Sequence, residues 1–254
     1  MRKKIIAGNW KMFKTAPEAV ELVEGLKKEL AGMNAVDVVV CPPFVHLSKA
    51  VEILSGSGIA VGGQNLFWED SGAFTGEISG TMLTSYGVKY VIIGHSERRQ
   101  YFGETNETVN KRLRAALKNG LKAIVCVGEN LAEREGGKTF DVVQDHVKGS
   151  LAGLTKEDML KVTIAYEPVW AIGTGKTATS AQAQEVHAFI RDILQKMFDK
   201  ATADATRIQY GGSVKPENAA ELMSQKDVDG ALVGGACLKA DSFTAIVKNS
   251  VPNS

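Results

Sequence analysis

Short apolar runs and longer amphipathic ones take turns along this chain. The short runs fall at 5–7, 36–41, 59–61, 90–93, 123–127, 162–165, 207–210 and 231–233. Hydrophobicity within most of them is nearly continuous, the pattern of strands covered on both faces, as in a parallel sheet. Between them lie stretches of helical period. Over 17–30, Ala19, Leu22, Val23, Leu26 and Leu30 share one stripe, as on a helix packed against a core. Thr15 followed by Glu18 has the spacing of a capping box, as has Thr179 followed by Gln182 ahead of a helix predicted over 180–198. A helix over 105–119 ends at Gly120, a residue suited to the left-handed turn after a helix. Further helical patterns cover 46–54, 79–86, 140–151, 217–223 and 242–248.

The count is about eight strand–helix units, with no linker-like break and no low-complexity segment. Regular alternation of this kind suits an open doubly wound sheet or a closed (β/α)8 barrel. Eight units in 254 residues favour the barrel, as one domain over 1–254.

Composition narrows the function classes. Thirty basic and 29 acidic residues leave a formal net charge of +1, so no bulk field draws in nucleic acid or an anionic membrane. Cys41, Cys126 and Cys237 are far apart, which argues against a disulfide framework or a zinc site and suits a reducing cytosol. The basic start MRKKIIAGNWK has too short an apolar run for a signal peptide, and no apolar stretch approaches a membrane span. The expectation is a cytoplasmic protein.

Two motifs mislead. YEPVWAIGTGKT ends like a phosphate-binding P-loop, but the first Gly of that motif would have to stand where Trp170 does. Gly173 to Ala178 matches a dinucleotide fingerprint, yet it follows no strand directly. Gly94-His95-Ser96-Glu97-Arg98 resembles a serine-hydrolase elbow, except that Arg98 replaces the closing Gly. His46, His95, His146 and His187 lack a metal-ligand spacing; no metal is expected.

In a closed barrel the C-terminal ends of all strands meet on one face. After the first run come Asn9 and Lys11, after the fourth His95 and Glu97, after the sixth Glu167, after the seventh Gly211-Gly212-Ser213, and after the eighth Gly234-Gly235. An amide, a cation, an imidazole, carboxylates and two Gly-rich turns thus converge on one mouth. Gly-rich turns there suit a phosphate held by backbone N–H groups.

The segments AGNWKM, VIIGHSERR, AYEPVWAIGTGK, QYGGSVKP and LVGGA, spread over essentially the whole chain, resemble the triosephosphate isomerase family. The resemblance implies a TIM barrel and the interconversion of dihydroxyacetone phosphate and glyceraldehyde 3-phosphate, a step of glycolysis and gluconeogenesis. It implies Glu167 as the base, His95 as the electrophile, Lys11 as positive charge toward the substrate, Asn9 shaping the pocket and Glu97 supporting the polar network. Gly173, Ser213, Gly234 and Gly235 match phosphate-contacting positions, and 168–177 matches a lid. It implies no cofactor, because only protons move. It also implies a homodimer in which the loop 64–78, opening at Gln64 and closing at Ile78, inserts into the neighbour through Phe74 and Thr75. Phe13 and Cys237 depart from common family residues, and Phe13 is expected to affect packing against the partner. Two rivals share the barrel: a Schiff-base aldolase using Lys11, and a sugar-phosphate-binding protein without activity.

Overall fold

A computed structural model describes residues 2–172 and 178–251. Eight strands form the centre: β1 (Ile5–Asn9), β2 (Asp37–Cys41), β3 (Ile59–Gly63), β4 (Tyr90–Ile93), β5 (Lys122–Val127), β6 (Val162–Tyr166), β7 (Arg207–Tyr210) and β8 (Gly230–Val233). All pair in parallel and in chain order, and β8 returns to β1, so the sheet is a closed barrel.

The continuous apolar runs have the expected cause. Along β1, Ile5 and Ala7 face the barrel interior, while Ile6 joins the outer layer beneath the helices. Val39 and Cys41 of β2 point inward, Val38 and Val40 outward; Ile124 and Cys126 of β5 point inward, Ala123 and Val125 outward. Away from the strand starts both faces are dry, so few positions are polar. Gln209 is an instructive exception. It is fully buried on β7, and its side-chain amide donates to the Ile5 carbonyl at 3.1 Å and the Ala231 carbonyl at 3.0 Å. At the β1–β8 seam, Gly230 has φ +152°, and a Cβ there would lie 1.9 Å from the Ile5 oxygen.

The expected helices are present, with ends shifted by a residue or two. The 17–30 stripe is the helix Ala16–Glu29, and Thr15 donates its N–H to the Glu18 carboxylate at 2.7 Å. The 180–198 pattern is Ser180–Met197, with the Thr179–Gln182 box formed in both directions. Gly120 takes φ +77° just beyond the helix Asn106–Lys118. Short helices at Leu131–Glu135, Lys156–Met159 and Lys200–Ala205 escape the sequence pattern, because one or two turns bury too few side chains to show a period. No helix among the described residues is long and apolar enough to cross a membrane.

Candidate active site

β1 delivers Asn9, and two residues later Lys11 takes φ +52°, a left-handed conformation that is unfavourable for a side chain carrying Cβ. Two amides hold it there. Asn9 Oδ1 accepts the Lys11 N–H at 3.0 Å, and Gln64 Nε2 donates to the Lys11 carbonyl at 2.8 Å while also bonding the Cys41 carbonyl. From this backbone Lys11 Nζ reaches Glu97 Oε1 at 2.6 Å.

After β4 the chain turns at Gly94, φ +70°, where a Cβ would press on Val109 at 2.8 Å. His95 then caps the helix Ser96–Phe102: its Nδ1 accepts the Glu97 N–H at 3.2 Å. With Nδ1 occupied as an acceptor, the proton of the neutral ring belongs on Nε2. Nε2 faces Glu167 Oε1 at 2.9 Å.

Glu167 is 2% exposed at the end of β6. Its N–H donates to Val127 O at 2.8 Å. Its carboxylate accepts the Ser96 N–H at 3.1 Å and the Ser96 hydroxyl at 3.3 Å, and the Cys126 thiol lies beside it. Burial alone would push this carboxyl up. The His95 ring, with the bonds from His95 and Ser96 and the Cys126 thiol, outweighs burial and holds it below the ordinary carboxylate value. For His95, burial alone would disfavour imidazolium, but the Glu167 carboxylate, aided by Glu97 and against Lys11, lifts the ring above its ordinary value.

Asn9, Lys11, His95, Glu167, Ser213, Gly234 and Gly235 line one cavity of about 360 Å³, a size suited to a small ligand. Glu97 sits behind Lys11 as its partner. Gly173, and with it the rest of 173–177 in the expected lid, lies outside the described residues. The described start of that segment is anchored: Val169 N–H donates to Glu129 O at 3.0 Å, and Trp170 Nε1 donates to the fully buried Glu129 carboxylate at 2.9 Å. Burial, opposed by the bonds from Trp170 and Tyr166 and by the Arg134 charge, raises the Glu129 carboxyl above its ordinary value.

The two Gly-rich turns turn out to need glycine for different reasons. A Cβ on Gly211 would lie 2.9 Å from Glu167 Cγ, and one on Gly212 would lie 2.2 Å from Tyr210 Oη. Those two glycines make room for the Glu167 side chain and for Tyr210. Gly234 and Gly235 are different: a Cβ would meet the Lys11 side chain at 3.5 Å in the first case and nothing within 4 Å in the second. Their bare backbone faces the cavity.

Sequence reasoning missed several contributors. Ser96, next to His95, had a visible signal as a hydroxyl inside GHSERR, whereas Cys126 looked like one more core residue of β5. Gly128 gave no signal, although a Cβ there would lie 1.8 Å from the Glu167 carbonyl oxygen. Phe13, expected only to influence partner packing, also lines the cavity. Cys237 is fully buried and packs on Gly8.

The long loop after β3 folds back on itself. Phe67 N–H donates to Ile78 O at 2.8 Å, Phe67 stacks on Trp68 and Phe74, and Arg112 lies over Trp68 at 4.9 Å. Phe74 is 43% exposed and Thr75 beside it is also exposed.

Comparison with known proteins follows the same line. The sequence model of the triosephosphate isomerase family matches residues 4–250. The triosephosphate isomerase of Moorella thermoacetica is 62% identical over 247 residues, covering 97% of this chain and 98% of that protein. The enzymes of the same name from Carboxydothermus hydrogenoformans and Citrifermentans bemidjiense are 59% and 56% identical, covering 99% and 98% of this chain and 100% of each relative. With eight parallel strands closed into a barrel and a family match from the start of β1 to the last helix, the chain belongs to the triosephosphate isomerase family.

Proposed function

We propose that this chain interconverts dihydroxyacetone phosphate and D-glyceraldehyde 3-phosphate through an enediolate. The observation that carries the reading is the shared cavity: Glu167, His95 and Lys11 line it together with Ser213, Gly234 and Gly235. Glu167 removes a proton from the carbon beside the carbonyl. The electron pair left behind forms the carbon–carbon double bond, and negative charge develops on the carbonyl oxygen. His95 Nε2–H donates to that oxygen and Lys11 opposes the charge, both preplaced where that charge develops. Glu167 then returns a proton to the neighbouring carbon while His95 relays one between the oxygens. The phosphate rests on backbone N–H groups at Ser213, Gly234 and Gly235, and the matched position Gly173 completes that set. A coupled isomerisation assay on the purified protein tests the reading; absence of turnover with either triose phosphate contradicts it.

A Schiff-base reading fares worse, because that chemistry needs a lysine desolvated by an apolar pocket or pressed by another cation, and Lys11 is paired with Glu97 at 2.6 Å.

The pair Glu167–His95 sets the acid side of the rate profile. Its first proton goes to the ring, whose pKa lies above the ordinary value, while the carboxyl lies below. An imidazolium carries a proton on Nδ1, where the Glu97 N–H already points. When substrate draws the carboxylate away, the helix N-terminus favours the neutral ring. Log kcat/KM is therefore expected to fall as pH drops through the range where the free pair gains its proton. A profile flat down to about pH 5, below the ordinary imidazole value of ~6.5, would count against the assignment.

The same reading includes a homodimer. Met12 and Phe13 beside Lys11, Phe74 on the 64–78 loop, and Met82 and Tyr86 after it are exposed apolar side chains, which favour a partner surface over open solvent. Phe74 and Thr75 reach toward the neighbour's Lys11 region. Sedimentation is expected to give twice the 27.2 kDa chain mass, and Phe74→Asp is expected to yield monomers of reduced activity. A fully active monomer would oppose this.

A further inference from the structure

His146 is a titratable side chain that the reaction above does not use. It lies on the helix Thr139–Ser150, half-buried, and its Nδ1 accepts the Gly128 N–H at 3.3 Å. Gly128 is the middle of three residues that grip the chain emerging from β6. On one side Val127 O accepts the Glu167 N–H at 2.8 Å; on the other Glu129 O accepts the Val169 N–H at 3.0 Å. Between them Gly128 presses so closely on the Glu167 carbonyl that an added Cβ would lie 1.8 Å away. Beside this contact is open space: a second cavity of about 740 Å³ is lined by Ser96, Arg99, Gly128, His146, Val169 and Trp170. Side-chain packing therefore leaves one side of the Gly128 peptide unsupported, and the His146 ring supplies the bond there.

We infer that His146 is a positioning residue that orients the Gly128 peptide and, through it, the main chain that carries the Glu167 carboxylate. The inference rests on Glu167 being the base. Its chemistry is consistent: Nδ1 accepts only while the ring is neutral with its one proton on Nε2. Burial, with Arg99 acting in the same sense against Asp145 and Glu167, lowers the ring to about 4, so the acceptor persists through neutral pH. Glu104 and Glu133 also border this cavity.

The experiment compares His146→Gln with His146→Leu in the coupled assay, with melting temperatures alongside. The Gln side-chain oxygen can accept the Gly128 N–H; Leu cannot. For Leu, kcat is expected to fall about tenfold with KM within about twofold, since a misaimed base loses rate more than substrate affinity. Gln is expected to recover kcat to within about threefold of the unsubstituted protein. Equal kcat in Leu and the unsubstituted protein overturns the inference, as does a Gln variant no better than Leu. If Leu fails to fold, His146→Ala, which likewise offers no acceptor, takes its place with the same expectations. The unsubstituted protein and Glu167→Asp are assayed first. Their failure removes the base assignment itself, whereas normal behaviour there with an unaltered Leu variant removes only the role of His146.

Discussion

Glu167→Asp is expected to lower kcat by about a hundredfold or more while leaving KM within a few-fold, a loss near 2.7 kcal/mol of transition-state stabilisation. The substitution keeps the charge and withdraws the carboxylate by about one methylene, ~1 Å. Everything around it is arranged for the longer side chain. Oε1 meets His95 Nε2 at 2.9 Å, Oε2 meets the Ser96 N–H at 3.1 Å, and Gly211 leaves room for Cγ. Substrate would still be held through Lys11 and the Ser213, Gly234 and Gly235 wall, so affinity is spared. Steady-state kinetics of the variant supply the check, with the melting temperature as a control for folding. Retention of more than about a third of kcat would mean that some other group takes the proton.

Lys11→Met is expected to lower kcat/KM by about 10²–10³-fold, the range seen when one preplaced electrostatic partner of a developing anion is removed. Unlike the Glu167 variant, it should raise KM as well as lower kcat, because the ammonium meets a charged substrate before and during the reaction. Its setting argues that the charge matters. The residue is held at φ +52° by Asn9 and Gln64, and its ammonium is kept within reach of the cavity by Glu97. A strained backbone held by two amides is what remains when a side chain must point one way. Methionine preserves most of the stem but leaves Glu97 without its cation. Measured kcat/KM within tenfold of the original would show that Lys11 is a surface cation and no more.

Much of this was legible in the residues because barrels bury both faces of every strand. The runs at 36–41, 123–127 and 162–165 are apolar but for Asp37 and Thr163, and they became β2, β5 and β6 with side chains alternately inside and outside the barrel. Once the strands were placed, the closed topology brought Asn9, Lys11, His95 and Glu167 together without further assumption. What stayed hidden was of two kinds. Helices of one or two turns, such as Lys156–Met159, leave no period to read. Close approaches between segments distant in sequence are hidden too: Gly128 on the Glu167 carbonyl, or Gln64 on the Lys11 carbonyl, spans tens of residues. The turn at Gly211-Gly212 shows the limit most clearly. Its glycines read as an anion cradle, yet their smallness answers to Glu167 Cγ and Tyr210 Oη.

The central claim is that the carboxylate of Glu167 moves a proton between adjacent carbons of a triose phosphate. The most direct test is to run the isomerisation in deuterium oxide and read the product by NMR. The account predicts turnover with deuterium entering at the carbon beside the carbonyl, since the base exchanges its proton with solvent. A product formed with its original hydrogen wholly retained, as in direct hydride transfer, would contradict it.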